Sequence, residues 1–259
     1  MAALATDSYL LTTRAVRTLT RQPAYLAISL VQPVIWLLLF GSLFRAIVHI
    51  PGFPPGTTYL EYITPGVIAM TALFSSGWAG TGYIEDMNLG VMDRLLSSPV
   101  RRGALMIGSL AYQALTTVIQ TLIVFGIAVV AGARFPGGAS GVAITSVTAV
   151  LIAMVIASLS NAIALLVRQQ EALIGISQFI VLPLQFLSGA IMATALAPGW
   201  VQHVARYNPV DWAVVASRSA LSADPQWGAI LPRLAWLALL AGVMAWLATR
   251  AFSSYQHSA

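Results

Sequence analysis

Amides recur inside the long apolar runs of this 259-residue chain, at spacings that put them on shared faces. Gln113 and Gln120 are seven apart, as are Gln178 and Gln185, so each pair lines one face of a helix. Gln32 precedes Pro33 and Trp36, and Asn161 sits in a further apolar run. Amides are costly to place against hydrocarbon, so these must face protein or a water-filled path. One reading makes them helix–helix glue, at ~0.6 kcal/mol per hydrogen bond. The other makes Gln32, Gln113, Gln120, Gln178 and Gln185 the lining of a path for an amphiphilic ligand. Bond-making chemistry has no comparable support. The chain has no cysteine, hence no disulfide, thiolate zinc site or thiol nucleophile. His49, His203 and His257 are scattered without metal-ligand spacing, so no metal site is expected. No acid stands at the centre of an apolar run, which argues against a proton relay and against a membrane-embedded lipid-modifying enzyme.

Composition decides what must hold these amides. The chain is 58% hydrophobic and only 8% charged, with a mean hydropathy of +0.83. A soluble domain carries about a quarter charged residues, because its surface must be solvated. Here the excess apolar surface must face lipid. Residues 22–44, between Arg21 and Arg45, carry no charge; at ~1.5 Å per residue they reach about 34 Å, enough to cross a bilayer core of ~30 Å. The same pattern repeats along the chain. It predicts an all-α integral membrane fold in one transmembrane domain over 1–259, with six transmembrane helices near 24–48, 62–84, 103–132, 142–167, 172–196 and 230–250. Pro183 is positioned to kink the fifth, and Ser76-Gly77-Trp78-Ala79-Gly80-Thr81-Gly82 offers the second a close-packing face. The stretch 190–233 mixes prolines, tryptophans and isolated charges, which predicts short helices at the outer face between spans five and six.

All 13 basic residues are arginine, and the formal net charge is +5. The arginines lie in short clusters between apolar runs, a topology pattern rather than a nucleic-acid-binding surface. With a cytoplasmic N-terminus the inner set is Arg14, Arg17, Arg21, Arg94, Arg101, Arg102, Arg168 and Arg250, eight against five outside (Arg45, Arg134, Arg206, Arg218, Arg233). Both termini are therefore expected on the cytoplasmic side. Arg14, Arg17 and Arg21 also share one helical face, so 5–22 reads as an interfacial amphipathic helix on the inner surface or as a plain topology anchor.

The inner loop 85–102 adds a third element. Leu89, Met92 and Leu96 repeat at helical spacing, with Asp93, Arg94 and Ser97 on other faces and Pro99 ending the turn. A short helix with an apolar stripe and polar flanks suits docking into a groove of another protein; an ordinary solvated loop is the alternative. Glu85 and Asp86 are placed to pair with Arg101 and Arg102 across it.

The run Gly90-Val91-Met92-Asp93-Arg94-Leu95-Leu96-Ser97-Ser98-Pro99-Val100-Arg101-Arg102 resembles the inner-loop signature of ABC type-2 permeases, especially the daunorubicin-resistance permease type. Gln170-Glu171-Ala172, Phe186-Leu187-Ser188-Gly189, Pro198, Trp200, Asn208-Pro209-Val210 and Arg218 agree with that family's C-terminal half in order and spacing. Met192 and Ala193 stand where the family often has a proline after its Ser-Gly-Ala segment. The resemblance implies a half-transporter: this permease, a second permease subunit (identical or a paralogue) and two ABC ATPase subunits, in the bacterial plasma membrane. It implies that 85–102 is a cytoplasmic coupling helix meeting the ATPase through Leu89, Met92, Asp93, Arg94, Leu95, Leu96 and Pro99, braced by the N-terminal helix. It implies export of a hydrophobic or amphiphilic drug, antibiotic or lipid, or of a lipid-linked polysaccharide; the sparse aromatics within the spans favour the former. ATP and Mg would sit on the ATPase and no cofactor on this chain. A P-loop needs a lysine against phosphate, and this chain has none.

Overall fold

The computed structural model describes residues 23–49, 57–91 and 102–255, and every regular element among them is helical. The long elements are α1 (Pro23–Leu43), α2 (Tyr59–Gly77), α3 (Thr81–Asn88), α4 (Arg102–Val130), α5 (Gly138–Val167), α6 (Gln170–Phe186), α7 (Gly199–Ala205), α8 (Pro209–Leu221) and α9 (Trp227–Tyr255). Short 3₁₀ turns cover Arg45–His49 and Thr194–Leu196. The interfacial segment 5–22 lies outside the described residues, as do residues 92–101 of the coupling segment and the pairing expected of Arg101.

α2 is the central helix. A capping box starts it: Glu61 N donates to Thr58 Oγ1 at 3.3 Å, and Thr58 N donates to Glu61 Oε2 at 2.8 Å. From Tyr62 to Leu73 every residue is buried, so the helix has no lipid face to speak of. α5 packs along it, and α8, α9, α4 and α1 close around the pair. Ile63, Leu73, Ile152, Ala153, Val210, Val214 and Leu237 form the centre of that core.

The periphery is the reverse. Leu231, Trp236, Leu239, Val243, Trp246 and Leu247 of α9 are exposed, as are Ile28, Val31, Ile35 and Leu39 of α1 and Phe179 and Phe186 of α6. Apolar surface on this scale is not left in water by a soluble protein; hydrocarbon covers it. Leu105–Val130, Gly138–Val167 and Trp227–Arg250 are each long and apolar enough to cross a membrane. Ala27–Leu43 is a shorter apolar helix.

Two expected spans differ from the helices observed. The segment 62–84 is not continuous: α2 stops at Gly77, turns through Trp78–Gly80 and restarts as α3. The break is held from outside. Ser160 Oγ of α5 donates to Gly77 O at 2.7 Å and accepts from Gly80 N at 3.0 Å, satisfying backbone groups that the interruption frees. A Cβ on Gly80 would stand 2.5 Å from Ser160 O, so the glycine is what permits this approach. The fifth segment, expected over 172–196, ends as α6 at Phe186, three residues after Pro183. Its remainder is an irregular strip whose backbone is bonded by residues of α8 and the turn before it. α5 ends where Arg168 takes a left-handed conformation (φ 56°).

The connections gather at two ends of the bundle. At one end Arg134 N donates to Glu61 Oε1 at 2.8 Å and Gly137 N to Leu221 O at 3.0 Å, joining the starts of α2 and α5 to the end of α8. At the other, Tyr83 Oη donates to Leu105 O at 3.1 Å, and Ile84, Ala164 and Leu173 pack together.

Candidate functional site

α1, α2 and α6 enclose a cleft of about 500 Å³, open on one side. Its walls are apolar: Ile28, Pro33 and Trp36 from α1, Val67, Met70 and Phe74 from α2, with Trp78 at the helix break, and Leu182 from α6. Its polar groups are Ser29, Gln32, Thr71, Ser75, Gln178 and Gln185. Among the described residues no acidic, basic or histidine side chain lines it. An apolar cavity with a few convergent neutral polar groups is the form of a small-molecule site.

Of the five amides singled out in the sequence, Gln32, Gln178 and Gln185 meet in this cleft. Gln113 and Gln120 do not line it; they stand behind it, 3% and 1% exposed. Gln113 Nε2 donates to Ser75 Oγ, and Gln120 Nε2 donates to Ser29 Oγ, both at 3.0 Å. Both serines are lining residues, so α4 fixes the cleft's hydroxyls from the second rank. Asn161 is helix–helix glue, its Nδ2 donating to Ser109 Oγ at 3.0 Å. Of the loop positions, Leu89 is described and is highly exposed, just beyond α3; Met92, Asp93, Arg94, Leu95, Leu96 and Pro99, and Arg14, Arg17 and Arg21, lie outside the described residues.

Above the cleft, toward the end that carries Glu61 and Arg134, the packing closes. Gly66 of α2 lies against Ala190, so closely that a Cβ there would fall 1.9 Å from Ala190 O. Arg218 of α8 locks this contact. Its Nε donates to Tyr62 O at 3.1 Å, its Nη2 donates to Ala190 O at 3.2 Å, and its guanidinium lies 3.6 Å from the Tyr62 ring centroid. Asp211 Oδ1 accepts from Gly189 N at 2.9 Å, and Tyr59 Oη donates to Ile191 O at 3.1 Å. Asn208 has two tasks. It caps α8 through Val210 N, and its Nδ2 donates to Leu184 O (2.7 Å) and Leu187 O (2.9 Å), carbonyls that the end of α6 leaves open. Burial pushes the Asp211 carboxyl above its ordinary range, opposed by the Gly189 N–H and by Arg218.

Sequence reasoning placed Arg218 in the family pattern without giving it a role, and it missed Asp211. Arg218 reads as one of the outer topology charges, yet it is half-buried and its guanidinium is turned to two backbone carbonyls and the Tyr62 ring. The aromatics, too, are better organised than their number suggests. Trp36, Phe40, Phe44, Tyr59 and Tyr62 follow one another with centroid separations of 4.8, 5.4, 5.7 and 6.3 Å, from the cleft to Arg218.

Comparison with known proteins gives this arrangement a family. The sequence model of the ABC-2 type transporter family matches residues 6–222, which takes in the cleft and the Arg218 lock. The chain belongs to the ABC-2 type transporter family. It is 27% identical over 209 residues to the daunorubicin resistance ABC transporter permease protein DrrB1 of Streptomyces coeruleorubidus, covering 80% of this chain and 72% of that one. It is 27% identical over 210 residues to the putative transport permease ycf38 of Pyropia yezoensis, covering 80% and 71%. The probable doxorubicin resistance ABC transporter permease protein DrrC of Mycobacterium tuberculosis (strain ATCC 25618 / H37Rv) is 24% identical over 214 residues, covering 81% and 75%. An ABC-2 permease is a membrane-embedded transporter subunit that works with ABC ATPase subunits. The lipid-facing α1, α6 and α9 and the interior cleft accord with that membership.

Proposed function

We propose that this permease exports a hydrophobic or amphiphilic small molecule from the bacterial cytoplasm, driven by a separate pair of ATPase subunits. A second permease subunit, identical or paralogous, completes the assembly. The cleft carries the reading: apolar and aromatic walls, neutral amides and hydroxyls, and no charge among the described lining residues. Such a lining solvates the apolar body of an amphiphile and holds its polar groups without demanding a full charge from it. Two of the relatives are named for daunorubicin and doxorubicin resistance, which agrees with a cargo of this class. Six crossings with both termini inside fit the grouping of connections at opposite ends of the bundle. On that orientation the cleft opens in the inner half of the membrane, and the Arg218 lock closes its outer end. The segment 85–102 transmits ATPase motion through Leu89, Met92, Asp93, Arg94, Leu95, Leu96 and Pro99, with the helix of Arg14, Arg17 and Arg21 as its brace.

The absence of cysteine makes the test direct. Single Gln178→Cys and Phe179→Cys variants are labelled with a maleimide in membranes, with and without daunorubicin. Position 178 lines the cleft, while Phe179 is 82% exposed on the lipid side. Daunorubicin is expected to protect the first site and not the second. Equal protection at both, or at neither, removes the cleft from the transport path.

A second reading has its own observation. The aromatic series from Trp36 to Tyr62 is the kind of surface along which sugar rings stack, so export of a lipid-linked glycan draws support from it. Phe40→Ala and Phe44→Ala would then impair glycolipid export while leaving daunorubicin protection at position 178 intact.

A further inference from the structure

Gln185 is the least satisfied polar group in the cleft wall. It is 2% exposed. Its Nε2 makes only a soft contact, 3.3 Å to Met70 Sδ, and its Oε1 is buried with no hydrogen-bond partner among the described residues. The other amides behind or around the cleft are differently placed. Gln113 and Gln120 each donate an N–H to a lining serine but do not themselves line the cleft, although Gln120 Oε1 is also buried without a partner among the described residues; Gln32 and Gln178 line it and are less buried. A buried carbonyl oxygen without a donor destabilises the empty protein by its full desolvation cost. That cost is removed by whatever brings a donor to it. The described lining residues are all uncharged, so the donor that fits them is a neutral or charge-remote O–H or N–H on an otherwise apolar molecule.

We propose that Gln185 is the specificity-determining residue of the cleft, accepting a hydrogen bond from an O–H or N–H donor of the transported amphiphile. Met70 and Leu182 contact the apolar body beside that donor, and Ser29 and Ser75, held by Gln120 and Gln113, set the cleft's shape. The cleft therefore selects molecules with a donor and discriminates against the same skeleton with that donor capped. This inference rests on the cleft being the substrate site, so its test must separate the two claims.

Two matched fluorescent amphiphiles do so: pyrenebutanol, which carries a hydroxyl donor, and its methyl ether, which does not. Binding to the full-length chain in lipid nanodiscs is read by energy transfer from tryptophan, since Trp36 and Trp78 line the cleft. Wild type is expected to favour the alcohol by roughly ten-fold, the scale of one buried hydrogen bond. Gln185→Leu, which keeps volume and removes the amide, is expected to bind both probes alike while retaining the ether's wild-type affinity, which also reports an intact fold. Phe179→Leu, at a position 82% exposed outside the cleft, retains the preference. Leu182→Trp, which puts a bulky indole in the cleft wall, abolishes specific binding of both. The inference is overturned if Gln185→Leu still prefers the alcohol or if wild type shows no preference. If Leu182→Trp leaves both affinities unchanged, the cleft itself is not the binding site, and the broader reading falls first.

Discussion

Replacing Gly66 by alanine is the sharpest single perturbation of the packing that closes the cleft. The new Cβ would fall 1.9 Å from Ala190 O, 2.7 Å from its carbonyl carbon and 3.0 Å from its Cα. All three are backbone atoms, so no side-chain rotation can relieve the overlap; α2 and the 188–191 strip must separate by more than an ångström. Overpacking of this kind costs ~1–3 kcal/mol. The separation also pulls Ala190 O from Arg218 Nη2, at 3.2 Å, and Ile191 O from Tyr59 Oη, at 3.1 Å. Losing a hydrogen bond from a charged donor adds ~1.5–3 kcal/mol. Against this, alanine is the better helix former by ~0.5–1 kcal/mol. The net loss is about 2–5 kcal/mol, or a melting temperature lower by about 5–15 °C for a chain of this size. Gly126→Ala is the control: it lies within α4 with nothing within 4 Å of the added Cβ, so it should gain ~0.5–1 kcal/mol. Thermal unfolding of the purified protein in a mild detergent compares the two. If Gly66→Ala melts within a degree or two of wild type, α2 does not contact the 188–191 strip as described, and the Arg218 lock is wrong.

Asn208→Ala removes a helix cap and the side-chain amide that donates to both Leu184 O and Leu187 O, so it should lower stability by about 2–4 kcal/mol in the same unfolding assay. Ser160→Ala, which strands Gly77 O and Gly80 N at the α2–α3 break, should cost about 1–3 kcal/mol and raise hydrogen exchange locally around residues 77–84. Replacing both Leu95 and Leu96 by Asp should abolish substrate-stimulated ATPase activity of the assembled transporter with expression unchanged; normal stimulation would remove the coupling role of that loop. For orientation, Leu89→Cys should be labelled by an impermeant maleimide only from the cytoplasmic side and Tyr207→Cys, 70% exposed, only from the other.

Much of the fold's class was legible because it follows from local composition. Sparse charge and long apolar runs require lipid, and the seven-residue spacing put Gln113 and Gln120 on one face, where they are found. Which face a neighbour presents was not legible. Ser75 and Ser29 lie 38 and 91 residues from the glutamines that hold them, and no local pattern connects them. The same reason explains α6. Its apolar sequence continues past Phe186, and a helix through to residue 196 is the local expectation. The chain leaves the helix because Asn208, Asp211 and Arg218, 21 to 28 residues later, supply backbone partners that make the irregular strip affordable. The α2–α3 break likewise answers to Ser160, 80 residues away, although the Gly77-Trp78-Ala79-Gly80 run marks where a close approach was possible. Arg218 misled for a different reason: a lone arginine near a span end is ordinarily a topology charge, and only the two carbonyls and the ring it meets distinguish it.

The central claim is that this permease carries the path while a separate subunit carries the energy, and co-reconstitution tests it most directly. The purified chain is placed in sealed proteoliposomes with and without its ATPase partner, and ATP-dependent accumulation of daunorubicin against its gradient is measured. Accumulation only when both subunits and ATP are present is the expected result. Uphill accumulation by the permease alone, with no ATPase in the membrane, would contradict it.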